Sequence, residues 1–376
     1  MKNYKIHLPE GMKDICGDEL IVNDKIENIL SNVFYSFGYE KIKTSLLEYI
    51  NVQSDCIQDL ACYKLINRNG EILNLRYDVT PSIMRYITNK NNDVYKFYYI
   101  LDSYRFPVKF ARKTHELRQA GIELIGVDNY FGEFELIEIL NEVLNVFNIS
   151  EYSIHFSHAN FLSVLFSDLK VKKEVAEKLL AAIKLKDFVE FKNIADKLNL
   201  DIDVINLVRV GGRSNYLKKL SDNLVGFKSK LIIDELLLIY NHLEELGLSS
   251  KVIFDFGILP YGTYYSGLTF QVFIKGVESN VITGGRYDSD VKGLGFGCDL
   301  DAITSYITNN ELLNIEKNMI YYVVSDSNLK FVFDYLSKYR VDKHTQIVKI
   351  DTKDITSIKK GKLIIFHNNE VEEKII

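Results

Sequence analysis

The stretch DVYKFYYILDSYRFPVKFARKTHELRQAGIELIGV, residues 93–127, decides the fold class. Its two ends, DVYKFYYILDSYRF (93–106) and THELRQAGIELIGV (114–127), are rich in aromatic and β-branched residues and read as strands. Residues 107–113 join them as a basic loop carrying Lys109, Arg112 and Lys113, with no helix between. Strands that follow one another without strict alternation with helices exclude a doubly wound parallel sheet. The same stretch holds three polar residues of interest. Arg105 lies in an apolar strand, where an unpaired cation is costly, so it needs an anionic partner or ligand. Gln119 and Glu123 are four apart on a strand and share a face. An internal ion pair is the competing account of Arg105.

Upstream, residues 18–38 form an amphipathic helix whose apolar face is Leu20, Ile21, Ile26, Ile29, Leu30, Val33 and Phe34. Residues 63–67 and 71–77 flank Arg68-Asn69-Gly70 as a hairpin. A helix then begins at TPSIMRYITNK, capped by Thr80 with Pro81 at its first position. Asp78 and Thr80 sit at this strand-to-helix junction, where a carboxylate and a hydroxyl suit an ammonium group; plain helix capping explains Thr80 equally well. Downstream come a helix at 131–147 and the strand YSIHFSH. Helical periodicity with Lys/Glu-rich faces dominates residues 161–248, with a break at VGGRSN. Strand character returns at KVIFDFG, YYSGLTFQVFIKG and SNVITGGRYD. The expected architecture is α+β: an antiparallel sheet flanked by helices over residues 1–310, a helical insertion at about 161–248, and a degenerate α/β segment at 315–376.

Composition narrows the function. The chain has 376 residues, 47% of them hydrophobic, and a net charge of −5, which gives no basic excess for general nucleic-acid binding. No apolar run is long enough to span a bilayer, and no signal peptide is visible, so a cytoplasmic location is expected. Cys16, Cys56, Cys62 and Cys298 have no C-x-x-C spacing, which excludes a disulfide framework and a zinc site. His155 and His158 are three apart on a strand and face opposite ways, so no metal site is expected. No phosphate-loop motif is present, and no cofactor is expected. Residues 284–303, GGRYDSDVKGLGFGCDLDAI, open like a phosphate cradle around Arg286 but end on two aspartates and Ala302. Tyr264 and Tyr265, adjacent on a strand, point to opposite faces, so at most one faces a given pocket.

Taken in order, LPEGMKD, the 63–77 hairpin, SYRF, HELRQAGIELIG, YYSGLTF and GGRYD…GLGFGCDLDAI resemble histidyl-tRNA synthetase, including the 14-residue separation of Arg105 and Gln119. The resemblance implies the class II synthetase fold, usually dimeric, and a histidine pocket made of Asp78, Thr80, Arg105, Gln119, Glu123, Tyr264 and Tyr265. Asp78 and Thr80 would hold the amino group, Gln119 and Glu123 would orient the imidazole or amine, and Arg105 would meet the carboxylate. Two arginines of the synthetases are missing: Ala302 stands at one position and Pro260 at the other. Tyr77 stands where the family has proline. Removing a cation that stabilises developing charge costs about 3 kcal/mol or more of catalysis. A chain that keeps the amino-acid side and loses the ATP side is similar to the regulatory subunits of ATP phosphoribosyltransferase. That resemblance implies no catalytic residues, the short-form ATP phosphoribosyltransferase catalytic subunit as partner, a homodimer within a hetero-oligomer, histidine as effector, and no tRNA. The rival readings are a diverged histidyl-tRNA synthetase, with Arg286 or Lys109 replacing the missing cations, and an amino-acid-sensing scaffold with another partner.

Overall fold

The computed structural model describes residues 7–53, 62–90, 94–106, 114–200, 208, 211–224, 227–259, 264–288, 291–313, 319–325, 329–337, 345–349, 362–367 and 370–375. The chain divides into two compact units, Met1–Leu312 and Leu313–Ile376.

The first unit starts with α1 (Asp18–Ser36), β1 (Glu40–Lys41), β2 (Leu47–Tyr49), α2 (Ile50–Gln53), β3 (Lys64–Ile66) and β4 (Ile72–Leu75). Next come α3 (Thr80–Ile87), β5 (Tyr95–Tyr104), β6 (Glu116–Ile125), α4 (Phe131–Val146) and β7 (Tyr152–His158). The insertion supplies α5 (Phe161–Asp168), α6 (Lys173–Lys184), α7 (Phe188–Lys197), α8 (Ser214–Asn223) and α9 (Lys228–Glu245). The unit closes with β8 (Val252–Phe254), β9 (Tyr265–Ile274), β10 (Asn280–Asp288), β11 (Lys292–Asp299) and α10 (Leu300–Asn309). The strands order as β1-β5-β6-β11-β10-β9-β7-β8. The edge pairs β1–β5 and β7–β8 are parallel, and the pairs between them antiparallel.

Register assigns every side chain to one of two faces, because residues directly opposite share a face. Tyr98, Ile122, Phe296, Gly284 and Phe270 align across five strands and form the first. Helix α1 covers it, with the Phe34 ring 5.8 Å from Tyr98 and 6.2 Å from Phe296. Ile26, Leu30 and Phe34 on α1 are fully buried, and each contributes about 1.5–3 kcal/mol relative to exposure. Leu20, expected on this apolar face, is exposed, while Val22 and Asn23 are buried. The polar residue has a partner: Asn23 Oδ1 accepts from Thr304 Oγ1 of α10 at 2.7 Å.

The opposite face carries Phe97, Glu123, Gly295, Gly285 and Thr269 in one row and Tyr99, Gly121, Gly297, Thr283 and Gln271 in the next. Helix α3 packs on its β5 side through Val79, Ile83 and Ile87 against Phe97 and Tyr99. The glycines keep the rest low. A Cβ on Gly295 would lie 2.5 Å from Glu123 Oε2, and one on Gly121 would lie 2.5 Å from the Tyr99 hydroxyl.

Strands β3 and β4 form the expected hairpin, joined to β2 in a separate three-stranded sheet. Its turn is set by Asn67, whose Oδ1 accepts from the backbone N–H groups of Asn69 (2.9 Å) and Glu71 (3.0 Å), and by Gly70 at φ 81°. The second unit comprises β12 (Met319–Ser325), α11 (Leu329–Ser337), β13 (Thr345–Lys349), β14 (Lys362–His367) and β15 (Glu370–Ile375). Its sheet runs β13-β12-β14-β15, with the β14–β15 pair antiparallel. Val332 and Leu336 of α11 pack on Ile364 and Phe366. Strand β15 is absent from the sequence reading because EVEEKI is mostly charged, a pattern that edge strands tolerate.

Candidate functional site

The site is built on the low face of the sheet, where β6 carries Gln119 and Glu123 on the same side. Glu123 is 2% exposed. Its two oxygens accept from separate hydroxyls: Oε1 from Thr80 Oγ1 (2.5 Å) and Oε2 from Tyr287 Oη (2.8 Å). Burial pushes the Glu123 carboxyl up to about 8; the two hydroxyl bonds oppose that rise, and the Asp78 charge adds to it. Thr80 therefore does not cap its helix. Val79 occupies the cap position and no side chain caps it. The Thr80 hydroxyl reaches across to β6 instead, because a buried carboxylate needs donors more than a helix end does.

Asp78, half-buried just before α3, accepts from Tyr264 Oη at 2.9 Å. The expected alternation of Tyr264 and Tyr265 fails, since β9 begins only at Tyr265 and Tyr264 belongs to the preceding turn. The two rings lie 4.7 Å apart at 32°, and both hydroxyls feel Asp78 and Glu123. Burial first, and then a neighbouring carboxylate, raises the hydroxyl pKa of Tyr264, Tyr265 and Tyr287, so all three remain donors. Gln119 is oriented by Ser103, whose Oγ donates to Gln119 Oε1 at 2.8 Å and leaves the amide N–H₂ as the outward donor. Gly297 keeps the space beside that amide and the Tyr99 hydroxyl clear: a Cβ there would sit 3.5 Å from Nε2 and 3.1 Å from the Tyr99 oxygen.

Arg105 follows β5. Its backbone is held by a bridge to Cys62 and by donation to His115 O at 2.8 Å. The half-buried guanidinium donates through Nε to Tyr77 O at 2.9 Å and lies over the Tyr77 ring, 4.9 Å from its centroid. Among the described residues no carboxylate stands within 4 Å of it, so the internal ion pair weighed from the sequence is not formed there. The expected set thus falls into a linked group, Asp78, Thr80, Glu123, Tyr264 and Tyr265, with Gln119 on the same strand face and Arg105 registering electrically at Tyr265. Sequence reasoning missed Tyr287, Ser103 and Tyr99. Tyr287 lies inside the GGRYD stretch, two residues from Gly285, which the register places on the Glu123 face; that period was the available signal.

Arg286 occupies a different environment. Nε and Nη2 donate to the two oxygens of Glu133 (2.5 and 2.7 Å), Nη1 to Val127 O (2.8 Å) and Nη2 also to Asn129 O (3.2 Å). Glu133 is 1% exposed. This arginine, the apparent cation of a phosphate cradle, is a structural ion pair between β10 and α4. Ala302 lies in the first turn of α10, its N–H donating to the capping Asp299 Oδ1 at 3.1 Å. Pro260, Lys109, Arg112, Lys113 and Cys56 lie outside the described residues. The VGGRSN break is also structural: Gly212 exchanges two 2.7 Å backbone bonds with Phe254 and extends the β8 edge. No group of three or more potential metal ligands occurs among the described residues, and no described helix is long and apolar enough to cross a membrane. His158 is buried, which pulls its imidazole down to about 4.

Chemically, the face offers two carboxyl groups, several neutral donors and one guanidinium. That suits a small zwitterion carrying a further basic group, and offers little for a triphosphate.

The model of the histidyl-tRNA synthetase family matches residues 11–303. A curated ATP phosphoribosyltransferase regulatory subunit from Clostridium novyi (strain NT) is 30% identical, over 84% of this chain and 80% of that protein. The regulatory subunit from Clostridium botulinum (strain Langeland / NCTC 10281 / Type F) is 26% identical, over 97% of this chain and 92% of that protein. Among solved structures, a chain described as an ATP phosphoribosyltransferase regulatory subunit/histidyl-tRNA synthetase from Bacillus halodurans C superposes with a TM-score of 0.80, at 24% identity, covering 94% of this chain and 95% of that one. The shared fold is the class II synthetase fold.

Proposed function

The chain belongs to the histidyl-tRNA synthetase family, among its ATP phosphoribosyltransferase regulatory subunits, and we propose that it acts as a non-catalytic allosteric subunit. It activates a short-form ATP phosphoribosyltransferase catalytic subunit and contributes to histidine feedback inhibition at the first step of histidine biosynthesis. The observation that carries this reading is the contrast on one sheet: the amino-acid side keeps its polar groups, while Arg286 is closed off by Glu133 and Ala302 brings only a methyl. Asp78 receives the amino group, Glu123 and Gln119 the imidazole or amine, and Arg105 the carboxylate. Inhibition requires histidine to bind the inactive assembly more tightly than the active one.

The assembly contains a homodimer of this chain, works in the cytoplasm and does not use tRNA. Support for an apolar contact between copies comes from the three-stranded sheet, where Leu47, Tyr49 and Leu65 are exposed and Tyr49 and Leu65 both stand opposite Leu73. Sedimentation velocity checks this, a monomer at micromolar concentration being the contrary result.

The test of function is to add the full chain to a purified short-form catalytic subunit and measure condensation of ATP with phosphoribosyl pyrophosphate. A rise in rate, reversed by histidine, is the expected outcome. No change in rate, or histidine-dependent pyrophosphate exchange by this chain alone, overturns the reading.

A further inference from the structure

Arg105 is held differently from four other arginines of this unit. Arg286 meets Glu133, Arg118 meets Glu27, and Arg85 meets Glu48. Arg76 is buried and satisfied by the carbonyls of Thr44, Ser45 and Asp102. Among the described residues, the Arg105 guanidinium instead rests on Tyr77, through both the carbonyl (2.9 Å) and the ring (4.9 Å). Tyr77 is 3% exposed and lies next to Asp78, the carboxylate at the other end of the zwitterion site.

We propose that Tyr77 is the positioning residue for the carboxylate-binding arm: its ring holds the Arg105 guanidinium beside the site without neutralising it. A carboxylate partner would hold the arginine equally well but would compete with a ligand carboxylate for the same donors. An aromatic face attracts the cation through its quadrupole and leaves the in-plane N–H groups free to bind an anion. The arginine stays placed and stays hungry for a second negative group. The inference rests on the histidine reading of the site and names the residue that sets its preference for a free carboxylate.

The test compares L-histidine with L-histidinol, which lacks the carboxylate, by isothermal titration on the full chain. The bond from Arg105 Nε goes to the main-chain carbonyl at position 77, which side-chain substitution leaves in place, so side-chain variants isolate the ring. Tyr77→Phe is expected to keep wild-type affinities. Tyr77→Leu is expected to weaken histidine binding about 3- to 10-fold while histidinol moves by less than about two-fold. Tyr77→Met, flexible enough to fill the same space, repeats the measurement should the leucine variant fail to fold. In an Arg105→Gln background the Tyr77→Met change should no longer alter the histidine-to-histidinol ratio. Equal weakening of both compounds, or of neither, assigns Tyr77 a purely structural role and overturns the inference. A wild-type chain that binds neither compound defeats the histidine reading itself and this inference with it.

Discussion

Glu123 and Glu133 are both almost completely buried, and they are answered in opposite ways. Glu133, in the first turn of α4, meets the Arg286 guanidinium with both oxygens. Among the described residues Glu123, on β6, meets hydroxyls alone, from Thr80 and Tyr287. The first arrangement is complete in itself, since charge, geometry and lone pairs are all matched. The second satisfies hydrogen bonding but supplies no counter-charge, and burial pushes that carboxyl up to about 8. A region of the first kind holds secondary structures together. Under the function proposed above, a region of the second kind holds a place for a cationic group that arrives with a ligand. The same sheet therefore has a closed electrostatic region and an unfinished one.

The sharpest way to break the comparison is at the closed pair. Glu133→Leu strands a half-buried guanidinium and should cost about 3 kcal/mol in urea unfolding. The double variant Glu133→Leu, Arg286→Met should recover most of that loss, because well-packed apolar residues replace a buried pair at little net cost. No recovery in the double variant means that the four-bond Arg286 network does more than neutralise Glu133.

The unfinished region is tested by pH. Glu123 has an ordinary value of 4.5 and a folded value of about 8. Between them the folded protein keeps a proton that the unfolded chain has released. Stability from this group is thus fully present below 4.5 and is lost as pH rises toward 8. Glu123→Gln should remove that fall, read as a flatter dependence of the urea midpoint on pH over this interval. His158 acts with the opposite sign: its folded value of about 4 lies below the ordinary 6.5, so its contribution is present above 6.5 and lost as pH falls. An unchanged profile in Glu123→Gln would show that the carboxyl is ionised throughout and the two regions are alike.

Smaller effects sharpen the contrast. Tyr287→Phe removes one of two donors and should cost about 1–2 kcal/mol. It should also move the Glu123 transition to higher pH, because that hydroxyl bond favours the carboxylate. Tyr264→Phe should cost under about 1 kcal/mol in the same assay, since half-buried Asp78 can take a water in place of the lost hydroxyl. A loss as large as that of Tyr287→Phe would place Asp78 in the same class as Glu123.

Much of this was legible from residue order, for reasons that differ by element. The β5–β6 pair, the Asn67–Gly70 turn and α1 announce themselves through local period and turn chemistry, which act within a few residues. Placing Gln119 and Glu123 on one face needed only the two-residue strand repeat. The errors came where that repeat was applied past the end of a strand, as at Tyr264, or where a helix-start residue had a better partner, as at Thr80. The partner of Arg286 was hidden because Glu133 is 153 positions away and looks like any acid in a first helical turn.

The sequence alone determined the elements, the class of sheet and the residue types available for an amino acid, because those follow from local backbone preference and side-chain chemistry. Only the tertiary structure decided which charges are already neutralised. That depends on which strand lies beside which helix: beside an almost fully buried carboxylate, a cation changes from a binding group into a structural tie.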